Sequence, residues 1–130
     1  MGAHSFVVEP GELAIVRLGP DEPVPTWAAR TEGFVSITRT REELSIVCAV
    51  PWVPDNVRSE GGWTALKLLG PFPFDQVGVL SSFVSPLAEA GISIFAISTF
   101  DTDYVLVKSD GLDAAVAALE AAGHRREEAP

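Results

Sequence analysis

The chain has 130 residues, 47% of them hydrophobic, and its nine Lys and Arg stand against 18 Asp and Glu, for a net charge of −9. This length and composition suit one folded domain of ordinary size, or two very small domains that share a core. Phosphate groups are bound by clustered Lys and Arg, and the basic residues here are scattered. We therefore expect a folded protein that binds neither nucleic acid nor anionic membranes.

Two features of the sequence predict where in the cell the protein is located. No apolar stretch reaches the roughly 20 residues that span a bilayer. The opening MGAHSFVVEPGE lacks the basic start and the apolar core of a signal peptide, so we expect a cytoplasmic protein. The single cysteine, Cys48, has no partner for an internal disulfide, and its setting in LSIVCAV predicts a buried strand residue.

The first half of the chain is predicted to be rich in strands. Residues 13–18, 34–40 and 44–50 are apolar and β-branched, which is typical of strands. Between the first two, PDEPVPTWAA contains too much proline for more than a single helical turn near Trp27. The segment PWVPDNVRSEGG then predicts a loop, so residues 1–60 should form a small N-terminal subdomain.

After a predicted strand at 63–69, a helix is predicted at 75–90. Gly91 stands where a left-handed C-cap belongs. Pro86 removes the N–H that would bond to the Ser82 carbonyl, so we expect a kink rather than a break. The residues that recur at the three-to-four spacing of one apolar face are Val79, Leu80, Phe83, Val84, Leu87 and Ala88.

Two strands and a second helix are predicted after this helix. Residues 92–100 and 104–107 are rich in β-branched and aromatic residues, and the DTD segment between them is polar and turn-forming. The second helix is predicted to begin with Asp110 as its N-cap and to end at Gly123. The final HRREEAP has little strand character, so a last strand is only weakly indicated.

The start of the first helix and the turn after residue 100 together predict a binding site for a zwitterion. Unpaired amides and the aligned peptide dipoles at a helix N-terminus attract a carboxylate. Asp103, beyond the turn, offers a carboxylate to a cation, and the carbonyls of Thr99 and Phe100 are acceptors at the strand end. The amides would come from Gln76, Val77, Gly78 and Val79.

The same residues also have purely structural interpretations. Aspartates in turns commonly bond to the turn itself, and a glycine near a helix start can simply fit a tight connection. Asp101 with Asp103 would make a poor calcium site without a further oxygen-rich loop. His4 and His124 lie at opposite ends of the chain without Cys or acid at ligand spacing, so no metal site is predicted.

The sequence offers no recognisable catalytic group. The central segment has no histidine, and neither a G-x-S-x-G elbow nor a phosphate-binding loop occurs. Ser81 and Ser82 have no evident base, and Trp27, Trp52 and Trp63 are interpreted as core or interface anchors. We predict that the protein is not an enzyme and uses no cofactor.

The run GVLSSFVSPLAEAGISIFAISTFDTDYVLV, at 78–107, resembles the ACT-domain family, and with GFVSITRTREELSIVC upstream it is similar to bacterial tandem-ACT proteins related to the CASTOR arginine sensor. This resemblance covers roughly residues 13–119. It implies an α+β fold of tandem ACT-like (ferredoxin-like βαββαβ) units, with antiparallel sheets and helices packed on one face. Residues 1–60 would be a degenerate ACT-like subdomain and 61–130 an ACT domain.

The resemblance also implies a regulatory or sensor protein that binds a small molecule, most simply an amino acid, at an interface between ACT units of a homodimer, with an unknown regulated protein as a further partner. Asp103 matches the family's ligand-binding aspartate, and Ser82 and Phe83 match positions contributed across the interface by a second copy. The matching pocket positions are Gln76, Val77, Gly78, Val79, Thr99 and Phe100. The alternative is an ACT-like module for protein interaction or structure without a ligand.

Overall fold

The computed structural model describes residues 3–70, 72 and 77–128, which form an α+β fold with mostly antiparallel strand pairs, as predicted. The chain divides into two compact units, Gly11–Trp63 and Met1–Pro10 with Thr64–Pro130. The strands are β1 (Ser5–Val8), β2 (Leu13–Leu18), β3 (Ser36–Arg39), β4 (Leu44–Ala49), β5 (Ser59–Leu68), β6 (Ile94–Ser98), β7 (Asp103–Lys108) and β8 (Arg125–Glu127), and the helices are α1 (Val79–Glu89) and α2 (Leu112–Ala121).

The unit Gly11–Trp63 is an antiparallel sheet in the order β3-β4-β2 followed by the first half of β5. Its core contains Cys48, which is fully buried as predicted, and burial raises the pKa of the Cys48 thiol. The helical turn expected near Trp27 is a 3-10 turn, Thr26–Ala28. The other buried core residues of this unit are Ala14, Val16, Ala28, Leu44 and Ile46.

Strand β5 begins earlier than the sequence predicts. Ser59 and Glu60 already pair with β2, so the expected loop at 51–62 is wrong in its last residues. The register between β2 and β5 shifts by one residue at the consecutive glycines Gly61 and Gly62, and Gly62 has a φ of +81°. This is the geometry of a β-bulge. Because glycine has a low strand propensity, a strand that contains two glycines is not predicted from its sequence.

The unit that contains α1 and α2 has the strand order β6-β7-β5-β1-β8. Both helices pack on one face of this sheet, as predicted, because the same buried cluster contains strand, α1 and α2 side chains. The strand members of this cluster are Phe6, Leu66, Leu68, Val105 and Val107, and the helix members are Val79, Phe83, Leu87, Ala115, Val116 and Leu119.

The N-terminal strand β1 lies between β5 and β8, and the sequence analysis did not predict it. It pairs antiparallel with β5 and parallel with β8, so residues 1–10 belong to the second compact unit. The weakly indicated last strand is the three-residue β8, whose Glu127 carboxylate accepts a 3.1 Å bond from the Ser5 hydroxyl. Pairing with a distant segment, rather than local propensity, defines both strands.

The helix starts differ from the predicted ones. Helix α1 begins at Val79, not at residue 75, because Gly78 adopts a left-handed conformation with a φ of +83° and forms the N-cap. Helix α2 has Gly111 as its N-cap, and the predicted cap, Asp110, lies in the preceding 3-10 turn. Within the described ranges, these two helices have 11 and 10 residues, and neither is long and apolar enough to cross a membrane.

The predicted C-terminal ends of both helices are confirmed. Gly91 follows α1 with a φ of +75°, and Gly123 follows α2 with a φ of +97°. Both are left-handed, as a glycine after a helix commonly is. Helix α1 also continues through Pro86 as a single element.

Candidate functional site

A cavity of about 320 Å³ lies where the start of α1 meets the turn between β6 and β7. These are the two segments that the sequence analysis combined into one site. The cavity brings together Gly78, Val79, Thr99, Phe100 and Asp103 from the predicted set. Its other lining residues, which the sequence analysis did not assign to the site, are Phe72, Leu80, Ser81, Ser98, Asp101 and Thr102.

The helical side of the cavity is the first turn of α1. The first bond of the helical ladder runs from the Ser82 amide to the Gly78 carbonyl at 2.9 Å. The amides of Val79, Leu80 and Ser81 precede that bond, so they have no carbonyl partner inside the helix. These three amides and the positive end of the helix dipole lie on this side of the cavity.

The opposite side is a turn that is held by two threonines. Thr102 is 7% exposed, and its hydroxyl donates a 2.7 Å hydrogen bond to the Leu68 carbonyl at the end of β5. The Thr99 amide donates to the Thr102 carbonyl at 2.8 Å, and the Phe72 amide donates to the Asp101 carbonyl at 2.9 Å. These bonds fix the turn to the sheet without using either aspartate side chain.

Asp103 lies at the start of β7, directly opposite Ser98 in the strand pairing. The Ser98 hydroxyl donates a 2.5 Å hydrogen bond to the Asp103 carboxylate, which is half-buried. Asp101 is exposed at the tip of the turn. Among the described residues, the cavity lining contains these two carboxylates and no Lys, Arg or His, so this side is negative while the helix start is positive.

Two large apolar side chains are exposed at or beside this cavity. Phe100, in its lining, is 78% exposed, and Val77, directly before Gly78, is 90% exposed. Val77 therefore lies in the approach to α1 and not in its first turn, where the sequence analysis had placed it. Exposed apolar groups close together are typical of surfaces that bind a ligand or a protein.

Ser82 and Phe83, which were predicted to act from a second copy across an interface, do not line this cavity in their own chain. Phe83 is fully buried and packs against Phe6, with 5.4 Å between ring centroids, so its side chain contributes to the core of its own chain. The Ser82 hydroxyl donates to the Val79 carbonyl at 2.9 Å and does not line the cavity. Gln76 lies outside the described residues.

Metal binding was tested on the part of the chain that the structure describes. Within residues 3–70, 72 and 77–128, no group of three or more His, Cys, Asp or Glu is placed to hold a metal ion. Two carboxylates alone offer fewer oxygen ligands than a hard metal ion such as Ca²⁺ takes.

Comparison with protein families gives two matches that together cover most of the chain. Residues 58–121 match the model of the ACT domain, and residues 11–56 match the model of an N-terminal domain family. The chain belongs to the ACT-domain family. The ACT match includes the first turn of α1, both strands at the cavity and helix α2.

Individual relatives agree with this assignment. The human cytosolic arginine sensor for mTORC1 subunit 1 is 37% identical over 59 residues, which is 45% of this chain and 18% of that protein. A crystal structure of a protein from Agobacterium tumefaciens is 42% identical, with a TM-score of 0.93 over 100% of this chain and 96% of that one. The chain thus matches less than a fifth of the human relative's length.

A more distant structure supports the fold alone. The regulatory subunit of aspartate kinase from Thermus thermophilus has a TM-score of 0.67 at 12% identity, and the match covers 95% of this chain and 99% of that one. This chain therefore shares its fold with that subunit.

Proposed function

We propose that the protein binds a free amino acid, or a similar small zwitterion, in the cavity between the start of α1 and the β6–β7 turn, and that it acts as a regulatory or sensor protein. The observation that carries this proposal is the charge arrangement of the cavity. The amides of Val79–Ser81, which precede the first helical hydrogen bond, are suited to a carboxylate, and the Asp103 carboxylate on the opposite side is suited to an ammonium group.

The size of the cavity agrees with this ligand class. About 320 Å³ lies at the lower end of the range for small-molecule pockets, which suits a ligand of a few heavy atoms better than a nucleotide. The turn is held by hydrogen bonds of Thr99 and Thr102, and the Asp103 carboxylate adds one bond from Ser98 across the same strand pair. The human relative is named as a sensor, and we propose binding rather than catalysis.

The relatives support an amino acid as the ligand class. The human relative, which matches 59 residues of this chain, is named as an arginine sensor. We extend the ligand class to this protein but not the identity of the ligand. A cytoplasmic location and an unknown regulated protein partner are part of the same proposal.

We further propose that the functional form is a homodimer in which a second copy covers the cavity. The exposed Phe100 and Val77 at the cavity support this arrangement, because contact with another subunit would remove them from water. A ligand that touches both copies stabilises the assembled state by its differential affinity, and a partner that recognises that state senses the ligand. We also propose a degenerate ACT-like subdomain within the predicted range 1–60 and an ACT domain within 61–130. The matches at 11–56 and 58–121 agree with a boundary near residue 60, whereas residues 1–10 belong to the compact unit that contains Thr64–Pro130.

The test is a thermal-shift screen of the protein against the twenty standard amino acids, each at millimolar concentration. A ligand at a hundred times its dissociation constant adds about 2.7 kcal/mol to the stability of the folded protein, which gives a measurable shift. Asp103→Ala should abolish the shift, whereas Asp55→Ala, which removes an exposed acid in the other compact unit, should leave it unchanged. If no amino acid shifts the wild-type protein, the exposed Phe100 and Val77 favour the alternative of a protein-interaction module.

A further inference from the structure

Helix α1 contains a carbonyl group that its own helix cannot satisfy. Pro86 lies inside α1 and has no N–H, so the Ser82 carbonyl, four residues earlier, lacks its usual helical donor. The Nε2 atom of His124 lies 2.9 Å from that oxygen. A residue at the far end of the chain thus takes the place of the missing helical hydrogen bond.

The contacts of His124 define its protonation state. The backbone N–H of His4 donates a 3.0 Å hydrogen bond to His124 Nδ1, so Nδ1 must carry a lone pair. The Nε2 atom must then carry the proton, because it faces the Ser82 carbonyl, which can only accept. Both ring nitrogens therefore have a hydrogen-bond partner.

The His124 side chain is enclosed by several elements. It is 5% exposed, lies edge-on to the Phe83 ring with 5.1 Å between centroids, and stacks on the His4 ring at 5.9 Å. The His124 backbone N–H also donates to the Leu119 carbonyl at the end of α2 at 3.0 Å. His124 therefore connects α1 with the segment before β1 and with the end of α2.

We propose that His124 is a positioning residue for the cavity. Its Nε2–H holds the carbonyl of Ser82, and Ser82 directly follows Val79–Ser81, the turn that carries the cavity amides. Fixing that carbonyl fixes the orientation of the turn relative to the sheet. The cavity's role in ligand binding rests on the proposed function, but the positioning of the turn does not.

Pro86 allows a test by a double-mutant cycle. His124→Phe keeps a ring of similar size and removes both hydrogen bonds, whereas Pro86→Ala supplies the helical N–H that the Ser82 carbonyl lacks. We expect His124→Phe to lower the denaturation midpoint and to shift the amide resonances of Val79–Ser81 in a ¹H–¹⁵N spectrum. Both effects should be clearly smaller when Pro86→Ala is present. Equal effects in the two backgrounds, or no shift at Val79–Ser81, would overturn the proposal.

A measurement on the wild-type protein does not depend on the folding of any variant. The imidazole ¹⁵N spectrum should show a protonated Nε2 and an unprotonated Nδ1 for His124 at neutral pH. A proton on Nδ1 would contradict both hydrogen bonds and overturn the proposal. His124→Gln, whose amide retains a donor and an acceptor, should restore part of the wild-type amide spectrum that His124→Phe loses.

Ligand binding by the same variants distinguishes the positioning role of His124 from the proposed amino-acid binding. For any amino acid that stabilises the wild-type protein, His124→Phe should weaken binding roughly two- to tenfold, as loss of one hydrogen bond does, and Pro86→Ala should recover most of it. A positive cycle without amino-acid binding supports the positioning role and contradicts the proposed function. Binding that His124→Phe leaves unchanged overturns the positioning role and leaves the proposed function intact.

Discussion

Ser98 and Asp103 face each other across the β6–β7 pair, and the Ser98 hydroxyl donates a 2.5 Å hydrogen bond to one carboxylate oxygen of Asp103. This bond uses part of the acceptor capacity of the carboxylate and leaves the second oxygen for a ligand. It also restricts the rotation of the Asp103 side chain before a ligand arrives. A cation that binds there loses less free energy to ordering the side chain.

Changing each member of this pair should have different effects on ligand binding. Asp103→Asn removes the charge at nearly constant shape, and we expect affinity for the amino acid found in the screen to fall by two orders of magnitude or more, in line with a lost charge-assisted contact of about 3 kcal/mol. Ser98→Ala removes only the orienting bond, and a two- to tenfold loss, about 1 kcal/mol, is expected. Isothermal titration calorimetry measures both. An affinity of Asp103→Asn equal to that of the wild type would exclude this residue from the site.

Replacing Gly78 tests the left-handed helix start. Gly78 and Gly91 have φ values of +83° and +75°, and an added Cβ at either position meets no atom within 4 Å. Alanine at either position should therefore cost about 1–2 kcal/mol of unfolding free energy through backbone strain alone. Only Gly78 lines the cavity, so Gly78→Ala should also weaken ligand binding, while Gly91→Ala serves as the matched control. Equal binding by the two variants at equal stability would contradict the position of the site.

Thr102→Val tests the anchor of the turn. The substitution keeps the shape of the side chain but leaves the Leu68 carbonyl without its 2.7 Å donor, which should cost about 1–3 kcal/mol of stability in urea unfolding. Thr38→Val, on the exposed strand β3, provides the matched control and should change stability by less than about 0.5 kcal/mol. If both variants unfold at the same urea concentration, Thr102 does not anchor the turn.

The stability of the protein should also depend on pH through His4. Burial lowers the pKa of His4 from its usual value of 6.5, and the electrostatic effect of the nearby His124 lowers it further. The unfolded chain therefore binds a proton more readily than the folded one, so unfolding free energy should fall as the pH drops below about 6.5 and through the folded pKa. His4→Asn should flatten this dependence and keep the backbone bond to His124 Nδ1. Urea unfolding between about pH 7.5 and pH 5.5 measures the slope, and an unchanged slope in the variant would contradict the assignment.

The strands that local patterns predicted best are those whose apolar residues face a core. Strands β2 and β4 lie close to the predicted ranges because their buried residues alternate or run continuously. Strands β1 and β8 were missed or only weakly indicated, because a four-residue and a three-residue segment become strands only by pairing with each other and with β5. The β1–β8 pairing joins residues 120 positions apart and the β1–β5 pairing residues about 60 apart, so neither leaves a local signal.

The candidate site was predicted in outline, because a helix start and a strand end followed directly from residue patterns. Leu80 and Ser81 were not included because the left-handed Gly78 moves the helix start to Val79. In the sequence, Thr102 is typical of an ordinary turn residue. Only the hydrogen bond from its hydroxyl to the Leu68 carbonyl shows that it anchors the turn to β5. The burial of Phe83 within its own chain follows from the apolar spacing of α1, whereas its predicted contribution across an interface with a second copy stays a prediction.

A zwitterion site in this cavity is best tested by a ¹H–¹⁵N titration of the protein with the amino acid that gives the largest thermal shift. We expect saturable changes concentrated at Gly78–Ser81 and Ser98–Asp103, the two sides of the cavity, with the Val79–Ser81 amides moving because they bond to the ligand carboxylate. Changes that are absent at millimolar ligand, or that concentrate in Gly11–Trp63, would contradict a zwitterion site in this cavity.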